Sequence, residues 1–261
     1  MRLLDRAYGL GRSLWIYYGK PGNGRRLDAF YRPFVRPGAL CFDIGAHVGS
    51  RARSWSRLGA RVVAVEPQPD FARFLRRLFR NDPRVVVRAE AVAASPGRVT
   101  LLVSPRTPTV TTGSPDFVAA TRRVPSFAWV RWDERVEVPA VTLDMLVEAH
   151  GLPDFVKIDV EGMEHQVLAG LSRPVPALSF EFVPSALASA LSSLDRLALL
   201  GAYRFNVSRG ESLRFVLPEW VDAATVRAWL LACEPTGDSG DVYARLAGRQ
   251  EEKVEVPDRQ A

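Results

Sequence analysis

Residues 39–49 read Ala39-Leu40-Cys41-Phe42-Asp43-Ile44-Gly45-Ala46-His47-Val48-Gly49. A short apolar run that ends in a glycine turn reads as a strand buried on both faces. The pattern then repeats outward. Residues 49–58 read as a helix and Arg61–Val65 as a second strand. Pro69 to Arg80 reads as a helix with Phe71, Phe74, Leu75 and Leu78 on one face and Arg73, Arg76, Arg77 and Arg80 on the other. Val85–Val87, Asp154–Asp159 and Ala177–Phe182 are the next strands. Helices are expected from a Thr142 N-cap through His150 with Gly151 as the stop, over Met163–Leu171, over Ala186–Leu200 and over 222–232. Strands alternating with helices predict a doubly wound, mostly parallel α/β sheet.

The remaining segments are less regular. Arg98–Val103 reads as an added hairpin arm after the Pro96-Gly97 turn. Residues 104–140 are rich in Pro, Thr and Ser, carry Phe117, Phe127, Trp129 and Trp132, and read as a long inserted lid or binding loop. Tyr203–Val207 and Leu213–Leu217 are expected to close the sheet as an antiparallel pair. The chain divides into an N-terminal helical extension (1–38), one domain (39–248) and a charged tail (249–261) expected to be disordered.

Composition narrows the class. The 261 residues are 47% hydrophobic and 25% charged, which excludes a globally disordered or low-complexity chain. No apolar run reaches the roughly 18 residues of a membrane span, and the basic N-terminus lacks the apolar core of a signal peptide. Cys41 and Cys233 are the only cysteines, so neither a disulfide framework nor a CxxC pair exists, and a cytoplasmic location is expected. Three histidines and two distant cysteines argue against structural zinc. Residues 1–80 hold 16 basic and 5 acidic residues, a net of +11, whereas 81–261 hold 19 and 24, a net of −5. That asymmetry suits an anionic partner, but arginine excess is more often a solvated face. Residues 1–18 place Leu3, Leu4, Ala7, Leu10, Leu14, Trp15 and Tyr18 near helical spacing among arginines. Such a helix lies on a membrane or packs on protein. Packing over a pocket or a second copy of the chain is preferred, because Gly9 and Gly11 interrupt the helix; a homodimer stays open.

In a parallel sheet, ligands bind beyond the carboxyl ends of the strands. Each end here carries a carboxylate: Asp43, Glu66, Glu90, Asp159 with Glu161, and Glu181. Five acidic strand ends argue for one shared pocket. The loop has the form D-x-G-x-x-x-G, not the G-x-G-x-x-G of dinucleotide sites. Asp43 before it repels phosphate and suits a cation. Glu66, 21 residues beyond Gly45 at the next strand end, is placed to accept both hydroxyls of a ribose. A nucleoside joined to a cationic amino acid is S-adenosylmethionine.

The segments FDIGAHVGS, AVEPQPDFARFL, AEAVAASPGRVTL, VTLDMLVEAHGLPDFVKIDVEGMEHQVLAGL and LSFEF, spread over residues 40–182, resemble the FkbM family of S-adenosylmethionine-dependent methyltransferases. The resemblance implies the class I methyltransferase fold, a seven-stranded, mostly parallel sheet with an antiparallel last strand. It implies that Asp43, Gly45, Ala46, His47 and Gly49 frame the cofactor, that Glu66 with Pro67 and Gln68 holds the ribose, and that Glu90, Ala91 and Val92 face the adenine, with Asp159 at the cofactor's edge. His47 stands where the family usually has Asn. The acceptors implied are hydroxyls of secondary metabolites, small molecules or glycans.

Methyl transfer to a hydroxyl needs an in-line approach and a base. Asp159, Glu161, His165 and Glu181 are the candidate bases. Glu161 and Glu164 also suit the start of a helix, and a lone histidine is commonly a packing residue. Asp159 with Glu161 and Glu181 would alternatively hold Mg²⁺. Three other readings remain. A nucleic-acid methyltransferase would need stacking aromatics, and no N-P-P-Y-like motif lies near Asp159. A non-catalytic module would bind cofactor without turnover. A nicotinamide oxidoreductase is disfavoured by the glycine spacing.

Overall fold

A computed structural model describes residues 2–248; the tail expected to be disordered lies outside them. Seven strands form the main sheet: β1 (Leu40–Ile44), β2 (Arg61–Val65), β3 (Val85–Arg88), β7 (Phe155–Ile158), β8 (Ala177–Phe182), β9 (Tyr203–Arg209) and β10 (Gly240–Leu246). Their order is β3-β2-β1-β7-β8-β10-β9, with β10 antiparallel to both of its neighbours. Strand β1 sits centrally, parallel to β2 and β7, with Asp43 level with Ala64 and Lys157. That register brings the strand ends to one edge.

Alternation along each strand sorts the core into two layers. Phe42, Ile44, Val63, Val65, Ile158 and Phe180 face one side, with Leu143, Leu146, Val167 and Leu194 packed on them from α6 (Leu143–His150), α7 (Glu164–Ala169) and α8 (Ala188–Leu200). Cys41, Val62, Ala64 and Phe155 face the other side, against Leu27 and Tyr31 of α2 (Asn23–Tyr31), Trp55 of α3 (Ser50–Arg57) and Leu75 of α4 (Pro69–Leu78). Helix α6 begins and ends as its residues dictate: the Thr142 hydroxyl accepts Met145 N–H, and Gly151 takes φ 103°.

Three expectations fail. Residues 104–140 are not one loop. They hold α5 (Pro115–Thr121), two short 3₁₀ turns and most of β6 (Glu134–Val141), which pairs with β5 (Gly97–Val103) and β4 (Ala91–Val92) in a second sheet. Residues 134–141 alternate, with Val138 and Ala140 buried; Pro139, a residue confined to sheet edges, disguises the strand. Leu213–Leu217 is not the partner of β9. Strand β10 takes that place, because Val242, Tyr243 and Ala244 are buried through the sheet centre, and the 213–217 segment reaches β9 through the Val216 N–H to Val207 O bond at 2.8 Å and the Asn206 side chain's bonds to Leu217. Finally, helix α1 (Arg2–Tyr18) runs through Gly9 and Gly11 without a break. Gly9 is where the helix touches protein: a Cβ there would lie 2.1 Å from the Pro105 carbonyl. Glycine permits the approach that lets α1 pack. No helix among the described residues is long and apolar enough to cross a membrane.

Candidate active site

A cavity of about 340 Å³ opens beyond the strand ends, a size that suits a small organic ligand. Its floor is the β1 turn. Gly45 and Ala46 both donate backbone N–H to Val65 O. Gly45 takes φ +81°, and a Cβ there would lie 1.8 Å from the Asp159 carbonyl. Gly45→Ala is therefore expected to push β1 and β7 apart, lowering unfolding free energy by more than about 2 kcal/mol in urea titration.

Asp43 and Gly49 do not line this cavity, and neither does Ala46. The Asp43 carboxylate lies beneath it and accepts Ala52 N–H at 3.0 Å; burial pushes its carboxyl up to about 6. His47 takes φ 49°, and its ring lies between Phe71 and Tyr17 with centroids at 4.4 and 5.5 Å. Burial pushes the imidazole down to about 4, so it is neutral at pH 7, and Nε2 has no hydrogen-bond partner.

The β2 end presents Glu66. Its Oε2 accepts His47 N–H and its Oε1 accepts Gln68 N–H, both at 2.8 Å, and burial pushes the carboxyl up to about 7. Each oxygen keeps a lone pair for a ligand. Gln68 donates through Nε2 to Thr111 Oγ1 at 2.5 Å and fastens the 108–111 turn over the cavity. Pro67, Glu90, Ala91 and Val92 complete this wall, with Glu90 paired to Arg88 at 2.7 Å.

The other wall is acidic. Asp159, Glu161 and Glu181 each offer an oxygen, all within 4.8 Å of one another. Lys157, 2% exposed, reaches Asp159 at 2.7 Å and Asp241 at 3.4 Å. Burial pushes the Asp159 carboxyl up, but the Lys157 ammonium more than offsets this and holds it below the ordinary value. Burial, then the Asp159 and Glu164 charges, pushes Glu161 well up; burial, then Glu161 and Asp159, does the same to Glu181, whose Oε2 lacks a partner. Glu161 is held at φ 55°, a backbone region costly for a non-glycine residue. Glu164 is spent on structure, accepting Gly162 N–H and Ser189 Oγ–H. His165 turns away: Nδ1 lies 3.3 Å from Ser189 Oγ, outside the cavity lining. Of the four candidate bases, three converge and His165 does not. Lys157→Met would leave the Asp159 and Asp241 carboxylates without their cation; because Asp159 is 34% exposed at the cavity, a loss of about 1–3 kcal/mol in stability is expected by chemical denaturation.

Sequence reasoning missed several wall residues. Tyr17 comes from α1, and Arg51 from α3 stacks on its ring at 5.4 Å while its Nη2 donates to both Glu211 carboxylate oxygens at 2.7 and 2.8 Å. Asp241 arrives from β10. Lys157 alone carried a signal: a lysine inside a buried strand needs a partner.

The strand order, the antiparallel β10 and a cavity over the carboxyl ends define a class I methyltransferase fold. The sequence profile described as Methyltransferase FkbM domain matches residues 43–234, and the chain belongs to that family. It is 28% identical over 149 residues to the hexuronic acid methyltransferase AglP of Haloferax volcanii, covering 55% of this chain and 54% of that protein. The chain thus spans about half the length of that curated relative. Among solved structures, it is similar to an O-methyltransferase from Bacillus cereus solved with S-adenosylhomocysteine (TM-score 0.46, 14% identity, 91% of this chain and 90% of that one). It is also similar to the precorrin-6y C5,15-methyltransferase of Geobacter metallireducens (TM-score 0.45, 14% identity, 87% and 88%).

Proposed function

We propose that this methyltransferase uses S-adenosylmethionine and methylates a hydroxyl of a sugar or another small polyhydroxylated acceptor. The observation that carries the reading is the placement of Glu66 on one wall of a single cavity and Asp159, Glu161 and Glu181 on the other. Family membership supports methyl transfer, and the Haloferax volcanii relative supports a sugar acceptor.

When bound, S-adenosylmethionine supplies an electrophilic methyl group. Glu66 would accept hydrogen bonds from the two ribose hydroxyls, the Gly45 turn would admit the ligand close to the backbone, and Glu90, Ala91 and Val92 would flank the base. Asp159, kept ionised by Lys157, attracts the ligand's positive charge. Glu161 and Glu181 sit where the acceptor enters. Burial and neighbouring charge push both carboxyls up, which makes whichever of the two is ionised a stronger base, and the acceptor hydroxyl gives its proton to that one. Val110, Thr111 and Phe127 line the cavity.

The three converging oxygens favour a second reading of the same wall, in which Asp159, Glu161 and Glu181 would hold Mg²⁺ and the ion would supply a Lewis acid to the acceptor hydroxyl. Calorimetric titration with S-adenosylhomocysteine, with and without Mg²⁺, tests both. Micromolar binding supports the cofactor, and no binding sinks it. Methyl transfer abolished by EDTA and restored by Mg²⁺ selects the metal reading, and transfer indifferent to EDTA selects the carboxylate base.

A further inference from the structure

Outside the cavity, a groove of about 550 Å³ runs between the outer side of α1 and the segments 104–107 and 129–133. Two large aromatics line it, Tyr8 and Trp129, 55% and 56% exposed. Rings this exposed leave apolar area for a partner. Guanidinium groups cover part of them: Arg12 stands 5.2 Å from the Trp129 ring and Arg106 5.0 Å from Tyr8. Arg131 also lines the groove. The groove's carboxylates are Asp5, held by Arg106 at 3.7 Å, and Asp133. Arg12 Nη1 has no hydrogen-bond partner, and Arg131 has no carboxylate partner among the described residues.

Flat rings beside unspent guanidinium forks have a definite chemistry. The rings stack on the apolar face of a sugar, and the forks bind a carboxylate or phosphate through paired N–H donors. The groove is also tied to the cavity. Tyr17 lines the cavity, while Arg12 and Tyr8 lie five and nine residues back on the same helix, about 8 and 14 Å along its axis. Pro108 borders both the cavity and a second groove that shares Pro105 with the first.

We propose that the Tyr8–Trp129 groove binds an anionic sugar unit of an extended glycan whose methylated unit lies in the cavity. The proposal rests on the methyltransferase reading with a sugar acceptor, and it adds a remote subsite and a charge requirement.

The test is calorimetry on the full chain, saturated with S-adenosylhomocysteine, against tetragalacturonate, maltotetraose carrying a terminal phosphate, and neutral maltotetraose. One or both anionic probes should bind, and which one binds tells carboxylate from phosphate. The neutral probe should bind at least about tenfold more weakly. Trp129→Ala and Arg12→Gln should each weaken the anionic probe about tenfold. The exposed Arg131→Gln should do so without lowering the melting temperature, which separates loss of the site from loss of the fold. S-adenosylhomocysteine titrations should be unchanged in all three. Equal binding of neutral and anionic probes, or anionic binding untouched by the variants, overturns the proposal. So does capture of the protein by vesicles of phosphatidylcholine with phosphatidylglycerol when no tetrasaccharide binds, which would make this face a membrane surface. If S-adenosylhomocysteine fails to bind while groove-dependent binding of the anionic probe persists, the cofactor reading falls and the groove stands.

Discussion

Glu66→Gln is expected to weaken S-adenosylhomocysteine binding by about 100-fold, because two charge-assisted hydrogen bonds to the ribose are each worth about 1.5–3 kcal/mol and the amide keeps one acceptor. In the wild-type chain His47 N–H and Gln68 N–H fix the two Glu66 oxygens and leave their remaining lone pairs for a ligand; the amide keeps an acceptor for only one of the two donors, so lost orientation adds to the lost charge. Calorimetry reads the loss directly, and a change under about threefold would remove Glu66 from the cofactor site. The effect carries a pH signature. Burial pushes the Glu66 carboxyl up to about 7, so the empty site is protonated below that value. Affinity should fall as pH drops from 7.5 toward 5.5, approaching tenfold per unit, and this slope should vanish in Glu66→Gln. The same group affects folding with the opposite trend. Between its unfolded value near 4.5 and its folded value near 7, the folded state binds the extra proton. Stability of the empty protein therefore declines as pH rises through that window. Cofactor binding should offset the decline.

The second large effect is expected at the acidic wall. Glu161→Gln and Glu181→Gln combined in one chain should lower kcat for methyl transfer to a hydroxyl acceptor by about 10²–10⁴ while leaving S-adenosylhomocysteine affinity within about threefold, and each single variant, which leaves the other carboxylate to take the proton, should lose less. Burial and mutual repulsion push both carboxyls up, so one ionises more readily than the pair. Removing either charge relieves the other, and the acidic limb of the kcat profile in each single variant should move to lower pH. Rates that keep the wild-type pH profile in both variants would assign the proton to another acceptor. Asp159→Asn differs in kind: it takes the nearer of two carboxylates from buried Lys157, leaving Asp241 at 3.4 Å, and should damage stability as well as rate.

The fold was legible where local signals agree. Residues 40–44 and 177–182 are apolar runs bounded by turn residues, and both are strands at those positions. Thr142 and Gly151 mark the limits of α6 by cap chemistry that acts within a few residues. Strand β6 escaped because Pro139 breaks the local rule, and the strand survives through pairing with β5, which the sequence around it does not announce. Strand β10 escaped for a related reason. Its apolar residues are ordinary in isolation, and its slot between β8 and β9 is fixed by contacts across more than thirty residues.

For the site, the residue pattern determined that acidic groups end the strands and that a glycine turn follows β1, since strand length and turn position are set by the side chains in place. Only the tertiary structure decided which of those groups meet. Asp43 faces Ala52 and His165 faces Ser189, each drawn to a nearby donor or hydroxyl. Tyr17, Arg51, Glu211 and Asp241 enter from α1, from α3, from the turn after β9 and from β10, far apart in the chain. The upward shift of the Glu66, Glu161 and Glu181 carboxyls was likewise beyond the sequence, because burial and neighbouring charge act through space, and those distances exist only once the sheet is closed.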